Sequence, residues 1–167
     1  MPFCAEEVGE WVIAETLREL DLKWCENTFM SAQQLLLATA IQESNLGERM
    51  QCCRRLGLYL ISPALHKSVW DNYLIKDPEL ASRVRGMAGQ HSFLRNPHIE
   101  LLTNLKYATA IALMVYLRNG QPLPAYGNLR EMAIYWHRHF HPKADACTTE
   151  FVRNYREVVG ETSRLAA

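Results

Sequence analysis

The residue of this chain best suited to catalysis is a glutamate, Glu43, near the end of an apolar stretch. The stretch Leu35–Gly47 reads Leu-Leu-Leu-Ala-Thr-Ala-Ile-Gln-Glu-Ser-Asn-Leu-Gly and predicts one helix and its end. The negative end of a helix dipole and an apolar environment both disfavour a further negative charge there. Cleavage of a glycosidic bond needs a carboxylic acid that keeps its proton until it acts as general acid. Position alone leaves a second interpretation open, a solvated glutamate at a helix end.

The helix that carries Glu43 has recognisable signals at both ends. Ser31 with Gln34 three residues later fits a capping box, which predicts Ser31 as the N-cap of a helix over 31–46. Gly47 is placed to end that helix in a left-handed conformation. The region 47–61 has no helical period, and we expect a long loop there, with room for short strands.

The remaining chain predicts an all-α fold of about seven helices around one buried helix. The most apolar stretch, Tyr107–Leu117, is the candidate for that central helix because it is too short to span a bilayer. Ser-Pro, Asp-Pro and Asn-Pro pairs and an Asn128–Glu131 pair mark helix starts. The predicted helices besides 31–46 cover 6–20, 63–73, 78–88, 97–118, 129–141 and the residues after Thr148 or Thr149, with a loop over 89–97.

Length and composition favour one soluble domain over 1–167. Lys and Arg together number 18, as do Asp and Glu, so the net charge is zero and general nucleic-acid binding is disfavoured. Five cysteines, an odd number with two adjacent, fit a reducing compartment better than a disulfide scaffold. The first residues lack the pattern of a signal peptide. We expect no cofactor, no metal site and no membrane span.

Four segments resemble, in order, the motifs of lytic transglycosylases, which have the goose-type lysozyme-like fold. A Glu-Ser motif is followed by a glycine-rich stretch, an Asn-containing helix start and an Ala-x-Tyr motif, and together they cover about residues 31–140. A further segment is similar to small lysozyme-like proteins of tailed bacteriophages. The four motif segments are Ala40–Ser44, Gly57–Pro63, Asn104–Ala108 and Ala133–Trp136, and the phage-like segment is Pro63–Leu74.

The resemblance implies cleavage of the peptidoglycan glycan strand between N-acetylmuramic acid and N-acetylglucosamine. In that family one Glu first protonates the glycosidic oxygen and then acts as base, while the muramic 6-hydroxyl attacks its own anomeric carbon. The counterpart here is Glu43. Hydrolysis needs a second carboxylate about 5–9.5 Å away, and the adjacent loop offers only Glu48, which is too close in sequence to be expected to face Glu43 across a cleft. Phage-type muramidases have Asp nine residues after the Glu, where this chain has Cys52.

The resemblance also implies substrate-binding roles for Ser44, Tyr59, Asn104 and Tyr135. Ser44 would orient Glu43 or substrate, Tyr59 would line the sugar cleft, and the Tyr135 hydroxyl would contact Glu43 or substrate. Structural roles are the alternatives for Ser44, Tyr59 and Tyr135, with a core aromatic slightly favoured for Tyr59.

Two departures from the family pattern favour a different class of function. Leu60 stands where the family has Gln, and Trp136 stands where it has Asn. The alternative to an enzyme is therefore a catalytically degenerate lysozyme-like protein, either a virion component or a glycan-binding protein. Without a signal peptide, we expect synthesis in a host cytoplasm and delivery to the cell wall with a virion, with peptidoglycan and other virion proteins as partners.

Two other residue clusters were weighed against this site. His137 and His141 lie one helical turn apart and could share a metal, but the sequence shows no third ligand. A possible basic face comprises Arg49, Arg54, Arg55, Arg83 and Arg85, which would meet anionic cell-wall polymer or simply be solvated.

Overall fold

A computed structural model describes residues 2–144 and 146–165, with side chains through residue 160, and this part of the chain is mostly helical. It contains nine helices and one pair of short strands. Helix α1 is α-helical over Ala5–Glu7 and Glu15–Leu20 and π-helical over Val8–Ala14. The other elements are α2 (Glu26–Ser44), β1 (Gln51–Cys52), β2 (Arg55–Leu56), α3 (Pro63–Asn72), α4 (Pro78–Gly86), α5 (Gln90–Arg95), α6 (Glu100–Thr103), α7 (Leu105–Leu117), α8 (Leu129–His139) and α9 (Thr148–Leu165).

Helix α7 is the buried helix of the fold. Every residue from Tyr107 to Tyr116 is buried, and α7 packs against α1, α2, α3 and α4. Full burial of one large aliphatic side chain stabilises a fold by about 1.5–3 kcal/mol. The prediction of an all-α chain with a buried helix at this position is confirmed. Among the described residues, none of the helices combines the length and hydropathy needed to cross a bilayer.

Helix α2, which carries Glu43, differs from the sequence prediction at both ends. It begins at Glu26, and Ser31 lies inside it, where its hydroxyl donates to the Asn27 carbonyl at 2.9 Å. A serine hydroxyl can make this bond within a helix as well as cap one, so the capping-box assignment of Ser31 was wrong. The helix ends at Ser44, before Gly47, because Asn45 already adopts the left-handed conformation.

The predicted helix over 97–118 is interrupted. A 3-10 turn over Pro97–Ile99 and the short α6 precede Asn104, which is extended, and α7 begins after it. The Asn104 side-chain oxygen accepts from the Tyr107 N–H and caps α7. The predicted loop 89–97 also contains helix α5. Other predicted helix ends lie within about two residues of those observed.

The region after α2 forms a loop with a two-stranded hairpin, as the sequence predicted. Gln51 pairs with Leu56 and Cys52 with Arg55, and the turn residues Cys53 and Arg54 are left-handed. This hairpin brings Arg55 back towards the end of α2.

Candidate active site

The Glu43 carboxylate is enclosed at the end of α2, with a side chain that is 2% exposed. Its Oε1 accepts from the Trp136 indole N–H at 2.9 Å and lies 3.0 Å from His141 Nδ1. Its Oε2 accepts from the Arg55 guanidinium at 3.0 Å. We call these four residues the Glu43 cluster. Three side chains, one from the hairpin and two from α8 and the residues after it, therefore contact both oxygens of one carboxylate.

Helix α8 and the residues after it supply two members of the cluster. Trp136 is buried on α8, and its ring lies 5.2 Å from that of Phe151 on α9. The backbone N–H of His141 donates to the Trp136 carbonyl, and the two rings lie 5.4 Å apart. Packing against α9 thus orients the indole N–H towards Glu43.

Arg55 is the most exposed member of the Glu43 cluster, at 24% for its side chain. The guanidinium nitrogen that contacts Glu43 also lies 3.1 Å from His141 Nδ1. Its buried Nε has no hydrogen-bond partner among the described residues. A buried, unpaired donor costs about 1–3 kcal/mol, which lowers the net cost of moving this side chain into water.

A polar groove of about 590 Å³ opens beside the Glu43 cluster. Its lining includes Glu43 and Ser44 together with Gln42, Asn45, Glu48, Arg49 and Asn154. The Asn154 amide donates to the Gln42 side chain, and the Asn45 amide donates to Glu48. Amide and carboxylate groups suit the hydroxyl and acetamido groups of a sugar.

Glu48 lines the same groove as Glu43. The left-handed backbone at Asn45, Leu46 and Gly47 turns the chain back, so that Glu48 and the end of α2 border one groove.

Ser44 anchors the loop after α2 rather than contacting Glu43. Its hydroxyl donates to the Leu58 carbonyl at 2.6 Å and accepts from the Gly47 N–H at 2.9 Å. Gly57, in the same loop, has φ +81°, and a Cβ there would lie 1.8 Å from the Leu101 carbonyl oxygen. This close approach requires glycine and positions the loop beneath α6.

Tyr59 and Leu60 belong to the core. Tyr59 is fully buried, its hydroxyl pairs with that of Thr109 at 3.0 Å, and burial raises the pKa of the phenol. The ring cannot touch a sugar in the groove, so its assignment to a cleft was wrong and the core alternative is correct. Leu60 is buried as well, which explains an apolar side chain at this position.

The hydrogen bonds of the Asn104 and Tyr135 side chains go to residues outside the Glu43 cluster. The Asn104 amide donates to the Met87 carbonyl and to Glu100, in addition to its capping bond. The Tyr135 hydroxyl bonds to the Asn119 side chain and the Gln121 carbonyl, and not to Glu43 as the resemblance implied.

A second buried polar network surrounds His66, which is 1% exposed. His66 Nε2 lies 2.7 Å from the Tyr107 hydroxyl, and its Nδ1 lies 2.9 Å from Nδ1 of His98. The Trp70 indole N–H donates to the same Tyr107 hydroxyl. Burial, and secondarily the neighbouring His98, lowers the pKa of His66 from 6.5 to about 4.

The histidines and arginines singled out in the sequence have other partners in the structure. His141 belongs to the Glu43 cluster, whereas His137 lies 3.0 Å from the Lys143 carbonyl oxygen. No group of three or more His, Cys, Asp or Glu within the described residues is arranged to hold a metal. Of the possible basic face, Arg83 donates to the Leu20 carbonyl, Arg85 lies over the Phe93 ring and Arg55 contacts Glu43.

Sequence reasoning missed the roles of Arg55, Trp136 and His141. Trp136 was interpreted as the loss of a polar group, although an indole retains one N–H donor. The chain matches no protein-family model, and no curated protein or solved structure is significantly similar to it.

Proposed function

We propose that this protein cleaves the glycan strand of peptidoglycan between N-acetylmuramic acid and N-acetylglucosamine, as a lytic transglycosylase. The observation that carries the proposal is Glu43 at the end of α2, held by donation from Arg55 and Trp136, with His141 at 3.0 Å, beside a polar groove. The motif resemblance over residues 31–140 supports the same assignment. That resemblance also supports a lysozyme-like fold and action on the cell wall from a phage virion.

In the proposed reaction Glu43 acts first as acid and then as base. Its proton moves to the glycosidic oxygen as the bond from that oxygen to the anomeric carbon breaks. The muramic 6-hydroxyl then attacks the anomeric carbon and returns its proton to Glu43. The product is a 1,6-anhydro sugar, and the carboxyl is regenerated without water.

Substrate entry requires Arg55 to move, because its guanidinium covers Oε2 of Glu43. The side chain is partly exposed and sits on a hairpin of two residue pairs, and its unpaired Nε gains water on leaving. Trp136 remains on Oε1 and orients the carboxyl.

Hydrolysis is the second candidate reaction, and Glu48 favours it. This carboxylate lines the same groove and could activate a water against the anomeric carbon, as inverting glycosidases do. The product would then carry a reducing end, which is heavier than an anhydro end by one water. A Glu48→Gln variant should lose hydrolysis but retain anhydro-product formation.

A degenerate, glycan-binding protein is the third candidate, favoured by the enclosure of Glu43. Arg55 and Trp136 both donate to the Glu43 carboxylate, as expected of a structural ion pair.

Digestion of purified peptidoglycan, with product masses, separates the three candidates. We expect anhydro-ended fragments from the intact protein and none from Glu43→Gln. Reducing ends would establish hydrolysis. A folded, inactive intact protein that still binds glycan would refute the enzyme proposal.

A further inference from the structure

A second groove, of about 580 Å³, lies near the start of α2, far from the Glu43 cluster. Its walls are the beginning of α2 and the segment 121–126 between α7 and α8. We call it the Trp24 groove. Trp24 and Tyr126 contribute its aromatic surface, and Tyr126 is 56% exposed. Thr28 and Glu43 are both on α2, 15 residues apart, which corresponds to about 22 Å along a helix.

The Trp24 groove is preformed, because its outer wall is tied at both ends. The Tyr135 hydroxyl donates to the Gln121 carbonyl at 3.2 Å. The Gly127 N–H donates to the Gln34 side chain on α2 at 2.7 Å. These bonds hold segment 121–126 against α2 and α8, so a ligand would bind without ordering a loop.

The chemistry of the lining selects a neutral, polar ligand. None of the lining residues is charged, although 22% of the chain is. Asn27 and Gln121 are lining residues with exposed side chains, and neither side-chain amide has a hydrogen-bond partner among the described residues. Aromatic faces with a few hydrogen-bonding groups are the usual lining of a small-molecule site.

We propose that the Trp24 groove binds a neutral N-acetylated amino sugar of a glycan chain. The indole and phenol faces pack against the apolar ring face and the acetamido methyl group. The amides of Asn27 and Gln121 pair with sugar hydroxyl and acetamido groups. The choice of sugar rests on the proposed function, whereas the preference for a neutral polar ligand rests on the groove alone.

The four tryptophans allow both sites to be followed in one experiment. Each indole N–H gives one nuclear magnetic resonance signal, assigned by Trp→Phe substitution. Trp24 reports the proposed groove, Trp136 reports the Glu43 cluster, and Trp11, which is 69% exposed, is a surface control. The probe is chitotetraose, titrated into ¹⁵N-labelled Glu43→Gln protein so that no cleavage occurs.

We expect a saturable shift of the Trp24 signal, with binding weakened about tenfold by Tyr126→Ala and unchanged by Trp11→Phe. An unmoved Trp24 signal would overturn the proposal, whether or not Trp136 responds. An equal shift of the Trp24 signal in Tyr126→Ala would also overturn the proposal. A Trp24 shift caused by protein concentration alone would overturn it as well, because a second copy of the chain would then occupy the groove. A shift at Trp24 in a protein whose intact form digests no peptidoglycan would retain the groove and reject the proposed function.

Discussion

Acidification should destabilise this protein through His66. Its pKa is about 4 in the folded protein and 6.5 without burial, so the unfolded chain binds more protons below pH 6.5. Stability is fully present above pH 6.5 and is lost as the pH falls towards 4. The lost free energy of unfolding is about 1.4 kcal/mol at pH 5.5, about 2.6 kcal/mol at pH 4.5 and about 3.4 kcal/mol well below pH 4, where His66 is protonated in both states.

Urea denaturation of the intact protein and of His66→Gln, from pH 7.5 to 4.5, measures this effect. The variant is less stable throughout because the Tyr107 and His98 partners are disturbed, but it should lack the His66 contribution to the pH slope. His91→Gln, at an exposed histidine, is the matched control and should follow the intact protein. Parallel pH profiles for the intact protein and His66→Gln would refute the reasoning.

Three further substitutions test the loop after α2 and the Glu43 cluster. An alanine in the left-handed conformation costs about 1–2 kcal/mol, and Gly127→Ala, with φ +85° and open space around its Cβ, should cost only that amount. Gly57→Ala should destabilise the protein by more, because its Cβ also meets backbone atoms. Equal denaturation midpoints for the two variants would contradict this. Ser44→Ala should cost about 1–3 kcal/mol in urea denaturation by leaving two backbone groups unpaired, and a neutral result would argue against its anchoring role. Trp136→Phe keeps a ring but removes the donor to Glu43, so peptidoglycan cleavage should slow about tenfold or more at unchanged fold, and an unaltered rate would exclude orientation by the indole.

Helix starts marked by local chemistry could be predicted from sequence. Ser62, Asp77 and Asn128 each accept from a backbone N–H three residues ahead, as their types and the following residues indicated. These bonds involve neighbours only, so a short window of sequence contains the information. The start of α2 could not be placed in the same way, because Ser31 fits both a cap and a position inside a helix.

The candidate site could be predicted only where it is local. Glu43 near the end of an apolar helix follows from the sequence around it. Its partners Arg55, Trp136 and His141 lie 12, 93 and 98 positions away, and no periodicity links them to it. Tertiary packing of α8 against α9 places the Trp136 indole beside Glu43. The left-handed turn after α2 brings Glu48 to the groove.

The role of Glu43 is tested most directly by release of muropeptides from purified peptidoglycan. The comparison uses the intact protein, Glu43→Gln and Glu79→Gln, the last at a glutamate on α4 whose side chain is 88% exposed. Matching thermal midpoints for the three proteins would establish equal folding. Our account predicts anhydro-ended products from the intact protein and Glu79→Gln, and none from Glu43→Gln. Release at an equal rate by Glu43→Gln would contradict it.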